Sequence, residues 1–297
     1  MMTFWQTLIS ESGAIPLDEL RPSLEMPDSR YLNLQGMQIH YRDVGDADAP
    51  VLILLHGIFS SLHTWNDWTE ILSKDFRVIS LDSPNFGLTG PHPAGMQRFL
   101  YSDFLNDFTD ALGIRRCFVA GNSLGGWMSW EFAARFPHKV EKMILLDSAG
   151  FFFIPPTGLL LMGLPLGGWL SSRAAPPRAA FRAMLRSTYA QPERLSDEVL
   201  ARYYELWLRP GNRQAGARVL RFIRNRAGFN PQLIREIIQP ALVMWGKQDK
   251  WIPPEHAQRF AKALPQSDVI MYDDCGHMPM EEIPVLSAAD ARRFLLG

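Results

Sequence analysis

The sequence predicts an α/β fold: a mostly parallel, doubly wound sheet with a helical cap inserted into it. Short, continuously apolar runs alternate with segments of helical periodicity, as expected for parallel strands that are buried on both faces and joined by crossover helices. This alternation stops from about residue 151 to residue 236, where helix-like pieces are separated by prolines and show no strand pattern. It then resumes, so the cap is predicted to interrupt one continuous sheet.

The elements follow in order from these patterns. Residues 1–30 are predicted to be an N-terminal extension that starts with a surface segment or short helix; no basic residue precedes Arg21, which does not fit a secretory signal. The core is predicted at 31–151 and 238–297, with the cap at 152–237 between them. The predicted strands cover 31–34 and 37–42, which form a hairpin, then 51–55, 77–81, 117–120, 143–146, 241–245 and 268–272.

Composition narrows the range of functions. The chain of 297 residues has 30 basic and 31 acidic residues, and this near-zero net charge gives no indication of nucleic-acid binding. Its two cysteines, Cys117 and Cys275, fall near the ends of different predicted strands. They are expected to be small core residues without a disulfide, which suits a cytoplasmic location. Neither a cofactor nor a metal is predicted, and a small-molecule substrate is the expected partner.

A serine lies at the turn between a predicted strand and a predicted helix. The pentapeptide Gly121-Asn122-Ser123-Leu124-Gly125 separates the apolar run 117–120 from a helical pattern that ends at Pro137. A serine at so sharp a turn is held in a strained conformation with its hydroxyl projecting. Both glycines are needed because neighbouring backbone passes where a Cβ would be. This arrangement predicts a nucleophile, Ser123, at the carboxyl edge of the sheet.

A serine hydroxyl needs a base to take its proton and a carboxylate to orient that base. His277 follows the last predicted strand on a loop loosened by Gly276, and it is the predicted base. Two carboxylates end earlier strands, Asp249 after 241–245 and Asp147 after 143–146, and the chain order serine, aspartate, histidine fits both. Asp249 is the favoured acid and Asp147 the alternative.

The segment His56-Gly57-Ile58-Phe59 follows the strand at 51–55, where the chain must turn across the top of the sheet. Backbone N–H groups at such a turn can point at a developing oxyanion. Ile58 is predicted to supply one donor, and Leu124, next to the nucleophile, the other. Phe59 is expected to line the same rim of the substrate pocket. His56 is expected to tie loops together rather than to transfer protons.

Five segments together resemble the α/β-hydrolase family of serine hydrolases, over roughly residues 31–297. They are His56-Gly57, Asp82-x-Pro84-x-Phe86-Gly87, Gly121-Asn122-Ser123-Leu124-Gly125-Gly126, Trp245-Gly-x-x-Asp249 and Gly276-His277. The resemblance implies the α/β-hydrolase fold. It also favours Asp249, because the family commonly carries its acid in this Gly-x-x-Asp position. The chain is similar both to esterase-like or lipase-like members and to hydrolases of meta-cleavage products.

The predicted cap begins with an uncharged stretch, residues 151–172, which is long enough to be a transmembrane candidate. A span here would separate the predicted nucleophile from the later acid and base, and its prolines and glycines would break the helix. An apolar lid over the pocket is therefore predicted, and shallow contact with lipid is the alternative. The predicted pocket residues in this stretch are Phe151, Phe152, Leu160 and Leu161.

The cap also differs from the rest of the chain in its charge. Residues 151–237 contain thirteen arginines, no lysine and five acidic residues. These arginines are expected on the outer faces of the cap helices. The alternative is that one of them turns inward and holds a substrate carboxylate through a bidentate contact.

These predictions converge on a cofactor-free hydrolase that acts by acyl transfer, with small to medium apolar carboxylic esters as expected substrates. One alternative is a carbon–carbon bond hydrolase for dienone-type ring-cleavage products. Some of those enzymes resemble this chain in having Gly-Asn-Ser-x-Gly-Gly, although they carry a Gly-rich loop where Ile58-Phe59-Ser60-Ser61 stands here. The alternative of another class is a non-catalytic protein that binds a small ligand in the same pocket.

Overall fold

A computed structural model describes residues 11–95, 100–225 and 230–297 of the chain. A single sheet of eight strands runs through this described part, in the spatial order β1-β2-β4-β3-β5-β6-β7-β8. Pairing is antiparallel between β1 and β2 and between β2 and β4, and parallel elsewhere. The strands are β1 (Ser29–Leu34), β2 (Met37–Val44), β3 (Val51–Leu55), β4 (Arg77–Leu81), β5 (Cys117–Asn122), β6 (Val140–Leu146), β7 (Ala241–Gly246) and β8 (Ser267–Tyr272). The predicted fold class is confirmed.

Helices connect the strands and cover both faces of the sheet. Those in the described ranges are α1 (Leu17–Leu24), α2 (Asn66–Leu72), α3 (Tyr101–Ala111), α4 (Leu124–Arg135), α5 (Thr157–Met162), α6 (Pro165–Arg173), α7 (Arg178–Arg186), α8 (Asp197–Leu208), α9 (Asn212–Arg224), α10 (Glu255–Ala263), α11 (Pro279–Glu282) and α12 (Pro284–Leu296). The predicted short helix or surface segment at residues 1–10 lies outside the described residues.

The central strands are apolar throughout because each face of the sheet is covered by helices. Ile53, Val119 and Val243 point to one face and pack in a core with α3, α4 and α10. Their neighbours Leu52 and Leu242 point to the opposite face, where α2 and α12 cover them. Each fully buried side chain of this size contributes about 1.5–3 kcal/mol relative to an exposed one. The parallel strands also end at a common edge, and their carboxyl ends meet there.

Between β6 and β7 the chain leaves the sheet and forms α5 to α9. Helix α9 packs against the turn after β3 at Gly216. A Cβ at this position would collide with the ring of Phe59, so the contact requires glycine. A second link joins these helices to α11. The carboxylate of Glu281 accepts hydrogen bonds from Tyr189 and Tyr203 of the inserted segment and from Thr64 of the core. The inserted helices are therefore anchored above the carboxyl edge of the sheet.

The uncharged stretch 151–172 is broken into two short helices, α5 and α6, joined by a turn at Gly163 and Leu164. In the described ranges, no helix combines the length and the apolar character needed to cross a membrane.

Candidate active site

Ser123 joins β5 to α4 with φ of 56° and ψ of −113°. This conformation costs a residue with a side chain on the order of 1–3 kcal/mol. The turn is tight because its glycines lack side chains: a Cβ on Gly121 would collide with the carbonyl of Gly125, and a Cβ on Gly125 with that of Leu55. The N–H of Ser123 donates to the carbonyl of Leu146 at 2.9 Å. The neighbouring strand β6 thus holds the strained turn in place.

His277 lies on the loop after β8, and Asp249 on the loop after β7. Nδ1 of His277 is 2.8 Å from Oδ2 of Asp249. Oδ1 of Asp249 accepts the N–H groups of Trp251 at 2.7 Å and Ile252 at 3.1 Å. Both carboxylate oxygens are therefore occupied and the carboxylate has a fixed orientation. This pairing puts the proton of a neutral imidazole on Nδ1 and leaves Nε2 as the acceptor.

Contacts to the backbone and ring of His277 hold this loop in position. Its N–H donates to the carbonyl of Thr188, in the inserted segment, at 2.7 Å. Its carbonyl accepts Nδ2 of Asn122, the residue before Ser123, at 2.9 Å. The ring of Trp251 stacks on the imidazole with 5.6 Å between centroids. The histidine is thus positioned together by the turn at Ser123, the loop after β7 and the inserted segment.

Ser123 lies where two cavities meet. The smaller cavity, of about 30 Å³, is lined by Ser123 and His277 together with Ile58, Phe59 and other residues. The larger cavity, of about 430 Å³, also includes Ser123 and Ile58 in its lining. The predicted nucleophile and base therefore share one space, and that space continues into a chamber of the size that small ligands occupy.

The predicted oxyanion donors, Ile58 and Leu124, both line a cavity that Ser123 also lines. Ile58 lines both cavities and Leu124 begins α4 and lines the larger one. Neither backbone N–H has an acceptor among the described residues. Leu124 is at the N-terminus of a helix, where N–H groups lack partners in the helix and the helix dipole favours negative charge. Both groups are available to a bound oxygen.

Asp147, the alternative acid, directly follows β6 with φ of 45° and is fully buried. Its Oδ1 accepts the N–H of Gly246 at 3.0 Å, whereas its Oδ2 has no donor in the described part of the chain. Burial, together with the negative charge of Asp249, raises the pKa of Asp147 well above its ordinary value. Asp147 thus lies beside the His277–Asp249 pair, but Asp249 makes the contact with the imidazole.

The larger cavity is mostly apolar, and three of the four predicted cap residues line it. These are Phe151, Phe152 and Leu160. Leu161 is not in the lining of either cavity, and its side chain is 53% exposed. A shift of one residue turns a side chain by 100° around a helix, so Leu160 and Leu161 of α5 cannot face the same way. Phe59 lines the smaller cavity instead of the larger one.

Two arginines reach the larger cavity. Arg224 is the last residue of α9, and Arg259 lies on α10, outside the predicted cap. The guanidinium of Arg259 lies over the ring of Phe151, 4.3 Å from its centroid. Both side chains are exposed, so they line the outer part of the cavity. The lining of the smaller cavity contains no arginine or lysine from the described residues.

His56 has a structural role, because both of its ring nitrogens are hydrogen-bonded to backbone groups. Its Nδ1 donates to the carbonyl of Gly57 at 2.7 Å, and its Nε2 accepts the N–H of Ser83 at 3.0 Å. This pattern requires a neutral ring, and burial lowers the pKa of His56 accordingly. The ring joins the loop after β3 to the loop after β4, as expected from the sequence.

One group of side chains in the described ranges has the spacing of metal ligands: Asp147, Asp249 and His277, with potential ligand atoms within 4.8 Å of one another. In this group, however, His277 Nδ1 and Asp249 Oδ2 are hydrogen-bonded to each other, and Oδ1 of Asp249 is taken by two backbone N–H groups. The arrangement is that of a carboxylate orienting an imidazole.

Sequence patterns do not indicate three of the residues around His277. Asn122 and Trp251 contact it directly, and Thr188 binds its backbone from the inserted segment. Trp251 also donates from Nε1 to the hydroxyl of Ser187 at 2.9 Å. The only signal for Trp251 in the sequence is its place two residues after Asp249, and Thr188 has none.

The fold of this chain is shared with known proteins. Residues 50–284 match the family model described as the alpha/beta hydrolase fold. The chain belongs to the α/β-hydrolase family. Among its curated relatives, a 2-hydroxy-6-oxo-2,4-heptadienoate hydrolase of Pseudomonas putida is 30% identical over 250 residues, which cover 82% of this chain and 87% of the relative. This membership supports a hydrolase function, although the bond that is cleaved differs among members.

Solved structures of the family are also similar to this hydrolase. A bacterial membrane phospholipase A, described as a virulence factor, is 25% identical with a TM-score of 0.75, and the match covers 90% of this chain and 85% of the other. A meta-cleavage product hydrolase from Pseudomonas fluorescens IP01 superposes with a TM-score of 0.78 at 23% identity, covering 90% and 97% of the two chains. The second likeness concerns the fold alone.

Proposed function

We propose that this α/β-hydrolase cleaves small to medium carboxylic esters with an apolar acyl chain through an acyl-enzyme on Ser123. In this mechanism Nε2 of His277 takes the proton of the Ser123 hydroxyl as its oxygen attacks the ester carbonyl. Asp249 keeps the imidazole in the required tautomer and stabilises the imidazolium that forms. His277 then gives the proton to the leaving alkoxide, and the alcohol departs.

The N–H groups of Ile58 and Leu124 would hold the oxygen that becomes negative in each tetrahedral intermediate. Losing one such donor typically costs about 3–4 kcal/mol in the barrier. Water then attacks the acyl-enzyme with His277 as the base, and the carboxylic acid is released. The pairing of Nδ1 of His277 with Asp249, which leaves Nε2 as the acceptor, and the lack of a backbone acceptor for the N–H groups of Ile58 and Leu124 among the described residues support these roles.

The observation that carries the ester assignment is the contrast between the two cavities. The chamber of about 430 Å³ is mostly apolar and begins at Ser123, which suits an acyl chain. Each buried methylene contributes about 0.8 kcal/mol, so an acyl chain gains affinity as long as the chamber accepts it. The lining of the smaller cavity has no arginine or lysine among the described residues, so this space beside His277 offers a substrate carboxylate no permanent positive charge.

A panel of p-nitrophenyl esters with acyl chains of two to twelve carbons tests this proposal. We expect kcat/KM to rise with chain length, by about fourfold per methylene at most, and then to fall when the chamber is full. The Ser123→Ala variant, shown to be folded by circular dichroism, is the control and should be inactive on every ester. Equal, slow hydrolysis of all chain lengths by both proteins would contradict the ester assignment.

The second candidate is hydrolysis of a carbon–carbon bond in a dienone-type ring-cleavage product. The observation that favours it is the relative from Pseudomonas putida, named for a 2-hydroxy-6-oxo dienoate. Such a substrate carries a carboxylate, which needs a cationic or strongly hydrogen-bonding partner when buried. In this chain the arginines that reach the site, Arg224 and Arg259, line the outer part of the larger cavity. Only a substrate with its carboxylate directed there fits this candidate.

The two candidates separate in one competition assay. A 2-hydroxy-6-oxo dienoate is monitored by the loss of its dienone absorbance beside p-nitrophenyl butyrate with the same enzyme preparation. We expect the ester to be cleaved at least a hundredfold faster in kcat/KM. The reverse ranking would establish the carbon–carbon hydrolase. A protein that binds both compounds but cleaves neither, and does not react with a fluorophosphonate, would be a non-catalytic binder.

A further inference from the structure

An exposed apolar surface covers the outside of the cap. Eight of the twelve exposed large apolar side chains in the described residues lie within residues 152–170. Their exposure ranges from 37% for Leu160 to 74% for Ile154. We call these residues the α5–α6 surface. It consists of Phe152, Ile154, Leu160, Leu161, Leu164, Leu166, Trp169 and Leu170. Clusters of this kind on a water-soluble fold mark sites of interaction.

The helix α6 is built with its small residues inside and its large ones outside. Gly167 and Gly168 face the inserted helices, where a Cβ on Gly167 would collide with the carbonyl of Leu161, and Gly168 is buried near Ala217 of α9. Leu166 and Leu170, one turn apart, point away from the protein with exposures of 69% and 51%. This is the inverse of the usual pattern, in which the apolar stripe of a surface helix faces the core.

The α5–α6 surface is continuous with the entrance of the larger cavity. Phe152, Ile154 and Leu160 belong to this surface and also line that cavity. Apolar side chains therefore continue from the outer surface into the cavity that Ser123 also lines. This continuity favours an occupant that contains acyl chains over a folded protein partner.

The charged residues that follow the α5–α6 surface directly along the chain are arginines. No aspartate or glutamate occurs between residues 148 and 192. Arg173 ends α6, and its guanidinium lies 4.7 Å from the centroid of the Trp169 ring. Arg224 and Arg259 are exposed at the larger cavity. A second copy of the chain on this surface would bring arginines against arginines, which costs several kcal/mol for close like charges. An anionic lipid headgroup is complementary to them.

We propose that the α5–α6 surface docks on a membrane rich in anionic lipid, with the entrance of the larger cavity facing the acyl chains. The apolar side chains of α5 and α6 enter the interface to the shallow depth typical of amphipathic helices, about 5–10 Å. The arginines remain at the level of the headgroups. The docking is peripheral, and it does not depend on whether Ser123 acts on an ester or on another substrate.

Cosedimentation of the full chain with large unilamellar vesicles tests this proposal. One set of vesicles is pure phosphatidylcholine and the other contains 30 mol% phosphatidylglycerol. We expect at least tenfold tighter partitioning to the anionic vesicles at low salt, and weaker partitioning at 0.5 M sodium chloride because the arginines are then screened. Absence of binding to the anionic vesicles would overturn the proposal.

A pair of double variants separates docking through the α5–α6 surface from nonspecific hydrophobic adsorption to vesicles. Leu166→Gln with Leu170→Gln removes two side chains of the α5–α6 surface, neither of which lines a cavity. Val285→Gln with Leu286→Gln is the matched control on α12, since these side chains are 73% and 54% exposed. The first double variant should bind anionic vesicles at least tenfold more weakly, with kcat/KM for a soluble short ester within twofold of wild type. The control should bind as wild type.

Equal loss of binding in both double variants would overturn the proposal. So would a concentration-dependent dimer, seen by analytical ultracentrifugation, that disappears only in the α6 variant while vesicle binding is absent throughout. That result would identify the surface as an interface between two copies of the chain.

Discussion

Asp147 and Asp249 lie side by side beneath His277, and oxygens of both carboxyl groups are within 4.8 Å of the imidazole nitrogen and of each other. Asp249 binds the imidazole and two backbone N–H groups, which stabilise a negative charge. Asp147 receives a single N–H, from Gly246. Because two buried carboxylates so close cannot both ionise readily, burial and the charge of Asp249 raise the pKa of Asp147. Asp147 therefore holds its proton more firmly than an ordinary aspartate does.

Exchanging each carboxyl for an amide should have very different effects on activity. Asp249→Asn should lower kcat roughly ten-thousand-fold, because an amide no longer selects the productive tautomer of His277. Asp147→Asn should lower it by less than about tenfold, because Asp249 and not Asp147 is hydrogen-bonded to the imidazole, and the amide oxygen can still accept the N–H of Gly246. Both are measured with p-nitrophenyl butyrate at pH 7.5. If Asp147→Asn is the more damaging change, the role of the acid belongs to Asp147.

Asp147→Asn should also change how stability depends on pH. Folding raises the pKa of this carboxyl. Between the unfolded pKa, about 3.9, and the folded pKa, the folded wild type therefore binds more protons than the unfolded chain does. Its free energy of unfolding falls as pH rises above about 3.9. The loss continues until the folded pKa is passed, at up to about 1.4 kcal/mol per pH unit. The variant has no such loss. The difference between its free energy of unfolding and that of wild type should therefore shift in favour of the variant as pH rises from 4.

Urea unfolding of both proteins at pH 4, 5, 6, 7 and 8 measures this difference. Asp268→Asn, at an exposed position on β8, is the control and should track wild type at every pH. If the difference in free energy of unfolding between Asp147→Asn and wild type stays constant across this range, Asp147 ionises in the folded protein as it does in the unfolded one.

The fold could be predicted because it depends on local patterns: apolar runs for the parallel strands and Gly-x-Ser-x-Gly at a strand-to-helix turn. The contact between His277 and Asp249 could also be anticipated. Chain order did not separate Asp249 from Asp147, since both end strands at the same edge, and only the Gly-x-x-Asp pattern favoured the former. The relative position of the two carboxyl groups depends on long-range packing.

Other parts of the site could not be predicted, for the same reason. Leu160 and Leu161 are equally apolar, and only the placement of α5 determines that Leu160 lines the larger cavity while Leu161 is exposed. Arg259 lies outside the predicted cap, in the predicted core range 238–297, and only the placement of α10 in the fold brings it to the larger cavity. The contact from Thr188 to His277 joins residues 89 positions apart along the chain.

The close approach of α9 to the turn after β3 predicts that two Gly→Ala substitutions will affect stability differently. Gly216→Ala should lower the free energy of unfolding by about 1–3 kcal/mol, because the new methyl collides with the ring of Phe59 and must displace it. Gly158→Ala, on α5, meets no atom within 4 Å and should be neutral or stabilise by up to about 1 kcal/mol. Urea unfolding of the two variants beside wild type is the measurement. Equal destabilisation by both would contradict this packing.

The arginines at the larger cavity predict a specificity for charge at the far end of the acyl chain. Arg224→Gln should lower kcat/KM about tenfold for a p-nitrophenyl monoester of a dicarboxylic acid, because a guanidinium that binds a carboxylate is lost. For the neutral ester of equal length, kcat/KM of the same variant should be within twofold of wild type. Arg182→Gln, on the outer face of α7, is the control. A parallel decrease for both esters would indicate a role in folding of the cap.

The central claim is that Ser123 is a nucleophile activated by His277. The most direct test is mass spectrometry of the intact protein after treatment with a fluorophosphonate. We predict a single adduct that peptide mapping assigns to Ser123, none in Ser123→Ala, and labelling of His277→Gln slowed by at least a thousandfold because the base is missing. A wild-type protein that forms no adduct, or an adduct that persists unchanged in Ser123→Ala, would contradict a nucleophilic role of Ser123.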